Sequence, residues 1–245
     1  MNSTEKVNFI SDWIKTYVDQ MPSKAESLVV GISGGIDSSV SSTLCAMTGL
    51  KTIVLSMPIK QKENQHDLSL KHQKWLVEKF KNVEAHTIHL DELFKSFSST
   101  LNKFDNEHGF ANSRARLRMT TLYQVAAANK GIVVGTGNKV EDFGVGFYTK
   151  YGDGGVDISP IADCNKTDVW EMGKELGILK DIIDAPPTDG LWDDGRTDEG
   201  QLGFKYEDLE DAMKNPKSPH RKEYEKIRKQ NLHKMEPIPV CKIPS

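Results

Sequence analysis

Apolar positions at Val7, Ile10, Trp13, Ile14, Tyr17 and Val18 recur every three or four residues, which predicts an amphipathic helix over residues 5–21, ended by Pro22 and Ser23. The unbroken run from Leu28 to Ile32 reads as a buried strand, and a helical pattern follows from Asp37 to about Met47, closed by Gly49. A second strand spans Lys51–Met57 and stops at Pro58. Residues 67–80 are helical in pattern, Val83–Leu90 alternates as a strand, and Asp91 caps a helix over 91–104. A longer helix covers about 110–130, and Gly131–Gly135 is a fourth strand. Strands alternating with helices predict an α/β fold with a parallel sheet, whose ligands bind at the carboxyl ends of the strands. The glycine loop after Leu28–Ile32, Met57-Pro58 and Thr136-Gly137 all fall at those ends, which points to one shared site.

Past residue 136 the pattern changes. Seven glycines between Gly135 and Gly155 predict a functional loop rather than core. A short helix covers 167–176, with Thr167 or Asn165 near its start, and Pro186-Pro187 breaks the chain. The acidic, glycine-rich stretch 189–203 predicts a mobile segment, a candidate lid. Residues 206–213 and 219–234 look helical, and the tail from Pro237 is extended. With no internal repeat and no low-complexity linker, residues 1–245 read as one domain.

Composition narrows the function classes. Of 245 residues, 37% are hydrophobic and 27% charged, as in soluble globular chains, and the net charge of −3 gives no basic field for nucleic acid. Cys45, Cys164 and Cys241 are far apart and odd in number, which disfavours a disulfide framework or a zinc site and suits a reducing compartment. No apolar run approaches membrane-spanning length, and the first residues carry no basic-then-apolar leader pattern; the expectation is a cytoplasmic protein.

The chemistry centres on Gly31-Ile32-Ser33-Gly34-Gly35-Ile36-Asp37-Ser38-Ser39. Strand, glycine turn and helix point backbone N–H groups and a helix N-terminus at a phosphate, and Ser33, Ser38 and Ser39 add hydroxyls. A carboxylate in such a cradle repels phosphate unless a divalent cation lies between them, so Asp37 reads as a Mg²⁺ ligand. The loop lacks the Lys of a Walker A motif and the spacing of a dinucleotide fingerprint. The string S-G-G-x-D-S-S after a strand resembles the pyrophosphate loop of the N-type ATP pyrophosphatases, which adenylate a substrate and release pyrophosphate.

Other constellations lie downstream. Arg114 and Arg118 share one helical face and Arg116 points elsewhere; the helix around them is apolar on several sides, which predicts burial, plausibly between subunits. Such arginines suit either a substrate phosphate or carboxylate, or a structural carboxylate. Glu141, or Asp142 beside it, is a candidate second Mg²⁺ ligand facing Asp37. Lys150, Asp153 and Asp157 suit a polar substrate or a hairpin with capping aspartates.

The motifs S-G-G-x-D-S, N-x-x-x-R-x-R-M, G-T-x-N-x-x-E, T-K-Y-G-D-G-G-x-D, N-K-T, P-P-T and a late His233-Lys234 occur in that order. Together they resemble the ammonia-dependent NAD⁺ synthetases, over nearly the whole chain. The resemblance implies a Rossmann-like three-layer sandwich of the adenine nucleotide alpha hydrolase-like kind. It implies ATP-dependent amidation of deamido-NAD⁺ by ammonia, through an adenylate. By the same resemblance, Gly31 to Ser38, Thr136, Lys166 and Thr188 contact ATP, with Met57 and Gln61 near the adenine. Asp37 and Glu141 hold Mg²⁺, Arg116, Lys150, Asp157, His233 and Lys234 bind deamido-NAD⁺, and Asp153 helps handle ammonia. Catalysis then falls to Asp37, Lys166 and Asp153, in a homodimer with the dinucleotide at its interface. About thirty residues precede the first strand, too few for a glutaminase domain, so free ammonia or a separate donor protein is the expected source. No covalent intermediate is needed, and the cysteines are expected to be buried or incidental. Alternatives are a GMP synthetase core, a tRNA-modifying adenylase, or a nucleotide sensor without catalysis.

Overall fold

The structure, a computed structural model, describes residues 1–59, 63–188 and 198–243. Its centre is a four-stranded, wholly parallel sheet of β1 (Ser27–Gly31), β2 (Lys51–Ser56), β3 (Val83–Thr87) and β4 (Gly131–Val134), in the order β3-β2-β1-β4. β1 is central and pairs Ser27 with both Lys51 and Gly131. Strand side chains alternate between two cores, as a period of two dictates. Leu28, Val30, Ile132 and Val134 face α1 (Ser3–Gln20), α2 (Ile36–Met47) and α6 (Lys166–Leu176). Val29, Ile53, Leu55 and Val133 face α4 (Asp91–Thr100) and α5 (Glu107–Ala128). The result is the three-layer α/β sandwich expected, with α3 (Glu63–Lys79) packing its Leu76 against Val54 and Ile32.

A smaller core joins a π-helix, Lys139–Val145, to α9 (Tyr206–Lys214) and α10 (Arg221–Met235) through Val140, Val145, Leu209 and Tyr224. Two short helices, α7 (Lys180–Ile183) and α8 (Asp198–Leu202), escape the periodicity. Four expectations are corrected. Asp91 is the first residue of α4 rather than its cap; Leu90 stands there and no side chain caps the helix. The third strand ends at Thr87, short of Leu90, because Ile88 and Leu90 leave the ladder for the carbonyls of Ser56 and Pro58. The glycine-rich stretch after Gly135 contains the π-helix. α5 is not buried on several sides but along the single stripe Ala111, Ala115, Met119, Leu122 and Ala126, leaving Tyr123 exposed. Of the expected mobile segment, 189–197 lies outside the described residues and 198–202 is α8. No described helix is long and apolar enough to cross a membrane.

Candidate active site

The carboxyl ends of β1, β2 and β4 open into a cavity of about 210 Å³. Gly31, Ile32, Ser33, Asp37 and Ser38 form one wall, Thr136, Gly137, Glu141 and Asp142 a second, and Ala115, Arg118, Met119 and Leu122 of α5 a third. Met57, Asp153 and Thr188 complete it. A larger groove lies between the π-helix and α10, lined by Lys139, Lys214, Arg221 and Arg228, but it is open and away from the strand ends. Site chemistry belongs with the strand ends.

The glycine loop is built to stay open. Gly34 has φ +94°, a backbone conformation that side chains resist. Ser33 Oγ accepts from the Gly35 N–H, and Ser38 and Ser39 hydroxyls both donate to the Gly35 carbonyl. No side chain caps α2, so its first turn keeps the partial positive charge of a helix N-terminus facing the loop. Two loop side chains face away from the cavity. Ile36 is 3% exposed and packs under α6 against Gly173, because one helical step turns it away from Asp37. Ser39 is fully buried, and its hydroxyl closes the turn rather than facing the cavity.

Lys166, the first residue of α6, brings three distant segments together. Its ammonium is 1% exposed and lies 2.6 Å from Asp37 Oδ2 and 2.8 Å from Glu141 Oε1. Asn138 adds a 3.1 Å hydrogen bond to Asp37 Oδ1 and caps the π-helix through Val140 and Glu141 N–H groups. Burial opposes the Lys166 charge, but Asp37 and Glu141 outweigh it and push its pKa up. Burial raises Asp37 in turn, with the Lys166 charge opposing. Asp142 is held well above the usual carboxylate range by burial, with Asp153, Glu141 and Asp37 adding to it. Gly137 makes this possible, since a Cβ there would overlap the Asp142 carboxyl.

Asp37 and Glu141 are hard oxygen donors converging beside a phosphate loop. Mg²⁺ binds through one or two carboxylates with phosphate oxygens and water completing its shell, so this donor pair fits it. Among the described residues no cluster of three or more His, Cys, Asp or Glu is placed for a metal, and this mode requires none. Of the two candidates, Glu141 is the one that shares Lys166 with Asp37.

The residues expected at the second substrate group elsewhere. Arg116 is exposed and donates to the Lys150 carbonyl, and Lys150 Nζ donates to the His233 carbonyl at 3.1 Å. Lys234 Nζ donates to the Tyr148 carbonyl over the Tyr148 ring, and burial lowers its pKa. Asp157 is committed to the edge of β4, accepting from Tyr123 Oη and the Val133 N–H. Arg116, Lys150 and the His233 carbonyl link α5 to α10, and none of the five lines the cavity. Gln61 lies outside the described residues. Arg118, read from the sequence as a partner for a phosphate or a carboxylate but given no place in the site, lines the cavity and donates to the Met57 carbonyl at 3.0 Å. Its signal is helical: positions 111, 115, 118 and 122 share the inward face of α5. Cys45 and Cys164 are buried, burial raising the Cys164 thiol to about 11, and Cys241 is exposed; none lines the cavity.

A parallel sheet carrying a glycine phosphate loop, an acidic pair and a buried lysine at its carboxyl edge defines a nucleotide-binding α/β enzyme. Comparison with known proteins narrows it. The NAD synthase family model matches residues 6–243, so the chain belongs to the NAD synthase family, whose members are ligases of NAD biosynthesis that use ATP. It is 37% identical to the NH3-dependent NAD⁺ synthetase of Carboxydothermus hydrogenoformans over 216 residues, 86% of this chain and 85% of that one. It is 36% identical to the same-named protein of Finegoldia magna, over 96% of this chain and 94% of that one. Among solved structures, the NMN synthetase from Francisella tularensis superposes with a TM-score of 0.90 at 31% identity, covering 99% of this chain and 100% of that one.

Proposed function

We propose that the chain forms NAD⁺ from deamido-NAD⁺, ATP and ammonia. The observation that carries this reading is the convergence of Asp37, Glu141 and Lys166 beside the Gly31–Ser38 loop, in a chain matched by the family from 6 to 243. The nicotinate carboxylate attacks the α-phosphorus of ATP, giving an acyl-adenylate and pyrophosphate. Ammonia then adds to the acyl carbon, AMP leaves, and one proton is released. The loop and the first turn of α2 hold the phosphates; Arg118 and Thr188 close the cavity around the nucleotide. Lys166 moves its ammonium from the two carboxylates toward the departing charge. Asp37 and Glu141 would hold Mg²⁺, which would supply charge neutralisation of the phosphates. Asp153 lines the same cavity and is assigned the incoming ammonia.

Arg116, Lys150, Asp157, His233 and Lys234 would receive the acid outside the cavity, where Tyr123 and Tyr151 are exposed around an open groove. A homodimer that joins two such faces gives the acid a closed site. The whole chain is read as one catalytic unit, cytoplasmic, with no role for nucleic acid or membrane. None of the relatives described above is a GMP synthetase, a tRNA-modifying enzyme or a sensor. A second acid, nicotinate mononucleotide, is favoured by the 0.90 TM-score to the Francisella NMN synthetase. The deciding experiment measures AMP formation from ATP and ammonium with deamido-NAD⁺ and with nicotinate mononucleotide, side by side. A higher kcat/KM for the dinucleotide supports the first reading, a higher value for the mononucleotide the second, and no AMP with either acid refutes both.

A further inference from the structure

Glu141 and Lys166 come from different elements, and one residue from a third touches both. Tyr206, the first residue of α9, is 1% exposed. Its hydroxyl donates to Glu141 Oε1 at 2.5 Å, the same oxygen that receives Lys166. Its ring centre lies 4.9 Å from Lys166 Nζ, and its edge meets Trp170, one turn along α6, at 5.7 Å. Four residues on, Glu210 is 7% exposed and accepts from the Thr167 N–H and hydroxyl. α9 therefore grips the first turn of α6 at two points, and only the Tyr206 point reaches the reacting groups.

We infer that Tyr206 is a positioning residue for Glu141 and Lys166, an inference that rests on the ATP-cavity reading above. With Oε1 taken by two donors, the Glu141 carboxylate cannot turn without losing both. The ring face attracts the Lys166 ammonium without using any of its protons, so it holds the cation in place yet leaves it able to transfer its hydrogen bonds to a phosphate. An anionic or strongly accepting side chain at 206 would instead compete for those protons.

The test is Tyr206→Phe, which keeps the ring and its Trp170 contact and removes the hydroxyl. The expected result is a fall of about tenfold in kcat for AMP formation, the lower end of what a hydrogen bond to a charged group contributes, with KM for the nicotinate acid unchanged within about twofold. Calorimetric titration with ATP and Mg²⁺ should show at least about threefold weaker binding, with ATP alone little changed. Tyr206→Leu, which also removes the ring, should lose more than Tyr206→Phe in both assays. A Phe variant matching wild type in kcat and in Mg²⁺-ATP affinity overturns the inference. If wild type amidates neither acid, the function fails, and the ATP titrations still decide whether Tyr206 positions the site. Should the Phe variant not fold, 4-aminophenylalanine at 206, which keeps the ring and a neutral donor, must retain kcat and Mg²⁺-ATP affinity within about threefold, and a loss of about tenfold or more in either overturns the inference.

Discussion

Lys166→Met separates the electrostatic role of the lysine from its packing. Methionine keeps an unbranched side chain of similar length and removes the ammonium. The variant leaves Asp37 and Glu141, with side chains only 19% and 14% exposed, converging without a counter-charge. Removing one partner of a buried pair costs about 3–5 kcal/mol. Asn138 still donates to Asp37 and Tyr206 to Glu141, so the low end applies, about 3 kcal/mol. For a chain of this size that lowers Tm by roughly 6–12 °C.

The sign of the pH dependence identifies the cause. Burial already raises Asp37 against the opposing Lys166 charge, so removing that charge raises it further above its unfolded value of about 4. A raised folded pKa contributes stability below the unfolded value and loses it as pH rises through the folded one. The deficit relative to wild type must therefore be largest near neutral pH and shrink toward pH 5, approximately, whereas a packing defect is the same at both. Urea unfolding of both proteins in EDTA buffer at the two pH values measures it. Adding MgCl2 should then return part of the loss in the variant and little in wild type, whose ammonium already serves those carboxylates. A deficit under about 1 kcal/mol, or one equal at both pH values, refutes this account of the Lys166 pair.

Other outcomes test separate parts of the molecule. His72 is fully buried, bonded to Ser42 and stacked on Trp75; burial lowers its pKa from 6.5 to about 4, so stability is intact above 6.5 and lost as pH falls toward 4. That loss is about 3 kcal/mol, and His72→Gln should flatten the acid limb of stability measured by urea unfolding. Gly137→Ala forces the Asp142 carboxyl out of its place and should cost at least about tenfold in kcat/KM, measured by AMP release. Arg118→Met should weaken ATP binding by about tenfold in calorimetry, whereas Arg116→Met, outside the cavity, should leave it within about twofold.

β1, β2 and β4 were legible because they are covered on both faces, so each is a short apolar run that a helix cannot mimic at that length, whereas the half-exposed edge strand β3 was read from its alternation. Helix ends were less so. Asp91 looked like a cap by residue type, but capping is decided by backbone angles, and Leu90 adopts the turn. The π-helix was hidden for a related reason. Gly144 and Gly146 flank its end, and their flexibility reads as loop, while Asn138 supplies the two side-chain bonds that start it.

Motif reading reached Asp37, Glu141 and Lys166 but treated the glycine string as a unit, and Ile36 shows the limit of that. A motif fixes residue order; the 100° step of a helix decides which members face the cavity, approximately every third or fourth. The same step applied to α5 puts Arg118 inward beside Ala115 and Leu122, a signal already in the chain. Tyr206 carried no such signal. An aromatic residue at the start of an amphipathic helix reads as core, and its ring does pack on Trp170. Its second role exists only because α9 returns, 65 residues later, to the π-helix that holds Glu141. The acidic pair and its lysine are separated by 129 residues at the widest, yet each is held by a polar neighbour from another segment. That arrangement explains why the site tolerates three buried charges: each carboxylate of the pair has a neutral donor as well as the ammonium, which lowers the cost when Lys166 turns to a phosphate.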